Sequence, residues 1–101
     1  MKKITDKLEE ISHLAKTSSV PEKTAEALKA LRVLVKDSKE SGPAKELLSK
    51  LDGELEIWQT KIAVIFKEPV GREGMSRHAK HWIEQLDKFG AGSLEFGGKS
   101  K

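Results

Sequence analysis

Between residues 43 and 68 the chain repeats apolar side chains at steps of three and four, and this stretch limits the fold more than any other. Leu47, Leu51, Leu55, Trp58, Ile62 and Ile65 fall on one helical face, which Leu48 and Phe66 widen. A stripe of that width must be covered by other elements, so the rest of the sequence has to supply helical partners. At about 1.5 Å per residue such a helix spans roughly 38 Å, longer than a compact domain of this length needs for its own core. Ile57 and Val64, seven residues apart, lie well round the helix from the main stripe and suggest a second, narrower apolar contact. The β-branched run 62–66 has no second strand pattern to pair with, so it is read as helical too.

Three shorter patterns flank the long one. Ile4, Leu8, Ile11, Leu14 and Ala15 make an amphipathic helix over 3–16, with His13 beside its apolar stripe as a boundary residue. Ser18 and Ser19 are cap candidates ahead of Pro21, where a second helix over 20–40 begins. Thr24, Ala27, Leu28, Leu31, Leu34 and Val35 form its inner face, and Ala25, Ala27 and Ala30 let a neighbour approach closely. Glu22 and Glu26 near its start and Lys36 and Lys39 near its end have the signs a helix dipole favours. The junction Ser41-Gly42-Pro43 is short enough to force the second and third helices antiparallel. Gly53, one turn before Trp58, marks either close packing or a bend.

Pro69 disfavours helical geometry at Glu68, so the third helix should cover 43–68 and give way to a loop over 69–74. Ser76 is a cap candidate for a fourth helix over 75–89, with Ala79, Trp82, Ile83, Leu86 and Phe89 inward and Gly90 as its stop. Residues 91–101 are Gly/Ser-rich with only Leu94 and Phe96 to anchor them, which predicts a mobile tail after a helical domain of residues 1–90.

Composition narrows the function classes. A chain of 101 residues with 35% charged and 37% hydrophobic side chains fits one soluble helical domain. The net charge of +3 comes from interleaved basic and acidic residues, which gives no long-range field pointing to nucleic acid. The absence of cysteine excludes disulfides, thiolate metal sites and a cysteine nucleophile, and no run approaches the ~20 apolar residues of a membrane span. The expectation is a cytoplasmic protein with no membrane attachment.

The segment 71–81 carries the most suggestive chemistry. Arg72, Ser76, Arg77, Lys80 and His81 gather around an expected helix start, where free N–H groups and the dipole favour a phosphate or carboxylate. The spacing matches neither a Walker loop nor a dinucleotide fingerprint. His78, His81 and Glu84 stand three apart, but a metal site needs further ligands from another helix, and none is recognisable, so neither metal nor cofactor is expected. Each serine falls where capping or turn chemistry explains it, which leaves no catalytic residue and argues against an enzyme. Trp58 and Trp82 lie on inward stripes, where core packing explains them better than base stacking.

The reading is an all-α antiparallel bundle of four helices with a long third helix. Its expected role is a non-enzymatic protein–protein interaction module: an adaptor, an assembly subunit or an inhibitor of a larger protein. Ile57 and Val64 are the expected contact to another protein or to a second copy in a homodimer. The alternative is a nucleic-acid-associated protein that contacts phosphates through Arg72, Ser76, Arg77, Lys80 and His81.

Overall fold

Proline sets the punctuation of this chain. The computed structural model describes residues 2–18 and 20–98, with side chains through Phe89. Among the described residues there are four α-helices and no strand: α1 Lys2–Thr17, α2 Pro21–Asp37, α3 Pro43–Lys67 and α4 Pro69–Gly98. All three prolines open a helix, where the missing N–H has no intrahelical partner to lose and the ring already holds φ near its helical value. Gly42, at φ 66° and ψ −141°, turns the chain into α3 through a conformation that side-chain-bearing residues rarely adopt, and its carbonyl accepts the Glu46 N–H at 3.1 Å.

The helices pack in a ring, α1 on α2, α2 on α3, α3 on α4 and α4 back on α1. Helix α4 runs opposite to both of its neighbours. Along α1, Ser12 meets Ser76, whereas Ala15 and Lys16 meet Arg72, earlier in α4. Along α3, Glu54 and Trp58 meet His78, whereas Ile65 meets Gly71. The interior is aliphatic, with Leu8, Ile11, Leu28, Leu31, Leu48, Leu51, Leu55 and Leu86 fully buried and Trp58, Met75 and Ala79 beside them. Each such leucine or isoleucine contributes about 1.5–3 kcal/mol relative to exposure, so the inward stripes stabilise the bundle. The buried residues of α1 and α4 include the small Ser12, Ala15, Ser76 and Ala79, and where the two helices cross the Ser12 hydroxyl reaches the Ser76 carbonyl oxygen at 3.3 Å.

The fourth helix departs most from the expectation. It begins at Pro69, not at residue 75, so the predicted loop 69–74 is its first turns. Glu68 is extended, as the following proline requires, and its carbonyl accepts the Arg72 N–H at 3.2 Å, so a single residue separates α3 from α4. Gly71 makes that reversal possible. A Cβ there would lie 2.8 Å from the Ile65 carbonyl oxygen, a backbone contact that cannot give way. Gly90 does not stop α4 either; the helix continues to Gly98, and at 30 residues it is longer than the 25 of α3. The long third helix therefore has a partner of at least its own length. Residues 99–101 of the predicted tail, and the side chains of Leu94 and Phe96, lie outside what the structure describes.

Smaller differences have local causes. Helix α2 stops at Asp37 because Ser38 is extended, with its N–H on the Val35 carbonyl at 3.2 Å, so Lys39 falls outside the helix. Its N-cap is Val20, without a side-chain cap, while the Ser18 hydroxyl accepts the Val20 N–H at 3.1 Å in a local turn. The Thr24 hydroxyl is fully buried with no hydrogen-bond partner among the described residues.

Candidate interaction surface on the third helix

Successive residues of a helix are about 100° apart, so α3 presents Leu48, Leu51, Leu55 and Trp58 inward and turns Gly53, Ile57, Thr60 and Val64 to the opposite side. Ile57 is 52% exposed and Val64 is 63% exposed, values at odds with packing against a neighbouring helix of the same chain. The steps from 53 to 57 to 60 to 64 are four, three and four, which makes a straight narrow seam. Gly53 is a notch within it: a Cβ at that position would meet nothing within 4 Å. Thr60 donates its hydroxyl hydrogen to the Glu56 carbonyl at 3.0 Å, which satisfies the polar end of its side chain within its own helix. Glu54 and Lys61 follow Gly53 and Thr60 along one margin of the seam.

The two sides of α3 next to this seam carry polar contacts to the neighbouring helices. Towards α2, Arg32 donates from Nε to Asp52 Oδ1 at 2.9 Å, from Nη2 to Asp52 Oδ2 at 3.2 Å and from Nη1 to Gln59 Oε1 at 2.7 Å. The hydrogen bonds from Arg32 hold the Asp52 carboxyl below its ordinary pKa, and the same pairing raises that of Arg32. Towards α4, Glu54 Oε2 lies 3.7 Å from His78 Nδ1, and the His78 ring stands edge-on to Trp58 with centroids 6.5 Å apart.

The expected anion site is divided. Arg72 faces back into the bundle, where Nε donates to the Ala15 carbonyl at 3.1 Å and Nη2 to the carbonyls of Lys16 at 3.2 Å and Ser18 at 2.7 Å. Its guanidinium carbon also sits 5.5 Å from the centroid of the Phe66 ring. Arg72 thus closes the C-terminal end of α1, whose last carbonyls have no helical donors. Ser76 is no cap: it is 1% exposed inside α4, and its hydroxyl pairs with that of Ser12 at 2.8 Å. Arg77, Lys80 and His81 remain exposed, and Arg77 and His81 border an open hollow with Gly74 and His78. Among the described residues no group of three His, Cys, Asp or Glu is placed to hold a metal ion, and no helix is long and apolar enough to cross a membrane.

Sequence reasoning singled out Ile57 and Val64 and noted Gly53, but did not set Thr60 or Lys61 beside them. The four-three-four spacing was the signal for Thr60. The Arg32–Asp52–Gln59 clamp had none, because its partners come from different helices. Comparison with protein-family models, with curated proteins and with solved structures found no match.

Proposed function

We propose that this protein is a non-enzymatic interaction module whose docking surface is the outer face of α3. The observation that carries the reading is the exposure of Ile57 and Val64 on a helix whose inner residues Leu48, Leu51, Leu55 and Trp58 are already buried in the bundle. Partner recognition through a helix face uses apolar anchors at three- and four-residue steps, which this seam supplies. The nucleic-acid alternative draws less support, because Arg72 and Ser76 are engaged inside the bundle and the exposed Arg77, Lys80 and His81 sit on a chain of mixed charge.

The test is a paired capture from the source cell with the native chain and with Ile57→Glu/Val64→Glu as baits. The reading expects a protein retained by the native chain and lost with the double variant. Equal retention by both baits, or retention of nucleic acid that falls steeply with added salt, would overturn it.

A further inference from the structure

From the pattern along the seam, and resting on the reading above, we infer that the occupant of the α3 outer face is a second copy of this chain, with the two α3 helices antiparallel. A two-fold axis crossing the helix between Ile57 and Thr60 sets each seam residue opposite a complementary one. Gly53 receives Val64 of the other copy, and Val64 enters the other copy's Gly53 notch. Ile57 lies on the methyl side of Thr60, whose hydroxyl is already satisfied by Glu56. On the margin, Glu54 of each copy meets Lys61 of the other, so an acid faces a base twice. A patch that pairs small with large and acid with base under its own two-fold axis is suited to a self-complementary dimer.

A parallel pairing fits less well, because Gly53 would face Gly53 and leave a gap at the notch. The notch also lacks an internal reason. A glycine in an exposed helix interior is destabilising relative to alanine, and the empty space around this one shows that no neighbour among the described residues requires it. Lys50 and Lys67 fall opposite one another at the two ends and limit the contact to about three turns, roughly 16 Å of helix. Such a contact belongs to the small, transient class of interfaces.

The experiment is molar mass by light scattering from micromolar to millimolar chain, for the native protein, Lys61→Glu, Glu54→Lys, an equimolar mixture of those two variants, and Gly53→Leu. The native chain should pass from monomer to dimer. Each single charge variant should associate about tenfold more weakly or worse, since it places like charges together at both contacts on the margin. Their mixture should recover dimerisation, because the two acids on the margin of one variant then meet the two bases on the margin of the other. Gly53→Leu fills the notch at an open, exposed position and should abolish the dimer while leaving the helical signal intact. A native chain that stays monomeric throughout overturns the inference, as does a dimer indifferent to these changes. Loss of a different captured protein in Ile57→Glu/Val64→Glu, with the native chain monomeric, overturns the inference while leaving the proposed function standing.

Discussion

Leu55 and Ile57 are two residues apart on α3 and occupy opposite environments: Leu55 has no exposed surface, whereas Ile57 is 52% exposed. The inner face of that helix is explained by the fold, since Leu48, Leu51, Leu55 and Trp58 are buried in the bundle where α2 and α4 pack on α3. The outer face is not. It combines two exposed β-branched side chains with a glycine that serves no internal packing, and a helix selected only for stability would carry polar residues and alanine there. Two faces with different composition on one helix indicate two separate demands on the sequence.

The comparison breaks first where the inner face is cut. Leu55→Ala should destabilise the bundle by about 2–5 kcal/mol through lost burial and a residual cavity, read as a fall in the urea midpoint. A loss under 1 kcal/mol would mean that the inner face is not the core. Next in size is Arg72→Ala, which removes three donors from the end of α1 and should cost about 1.5–3 kcal/mol, with fraying of α1 visible in amide exchange. An unchanged protein would return Arg72 to the set of free surface cations.

How much of this was legible in the sequence depends on the range of the interaction. The inward stripes were readable because helical periodicity is local, and Leu8, Leu28, Leu51, Leu55 and Leu86 are buried as their spacing required. Pro21 and Pro43 were readable as helix starts for the same reason. Pro69 misled because a proline both ends one helix and opens the next, and the turn chemistry that usually separates the two is compressed here into Glu68. The signal that could have corrected it is Gly71, whose small size matters only against the Ile65 carbonyl. Arg72 was misplaced because its partners lie more than fifty residues away at and just beyond the end of α1, where no spacing rule reaches. Ser76 has the composition of a cap, and only the placement of Ser12 beside it shows that it is a buried hydrogen-bonding residue.

On the outer face the effects should be smaller and of the opposite sign. Gly53→Ala should stabilise the monomer by about 0.5–1 kcal/mol, because alanine loses less backbone freedom and its Cβ meets no neighbour. Destabilisation would show that the notch is needed within the bundle. At the border between the two faces, the Arg32–Asp52 pair should give a modest, pH-dependent contribution. Asp52 titrates below its ordinary value of 3.8 in the folded chain, so its contribution is complete above that pH and disappears as pH falls through the lower, folded value. The difference in urea midpoint between the native chain and Asp52→Asn should therefore hold steady near neutrality and shrink in acid. A difference that grows in acid would contradict the pairing.

The separateness of the two faces of α3 is tested most directly by the unfolding free energy of Ile57→Glu/Val64→Glu, measured in urea at concentrations where the chain is monomeric. The account predicts a change within about 0.5 kcal/mol of the native chain, as for ordinary exposed positions, with an unaltered slope. A loss of about 2 kcal/mol or more would place Ile57 and Val64 in the core and leave α3 with a single face.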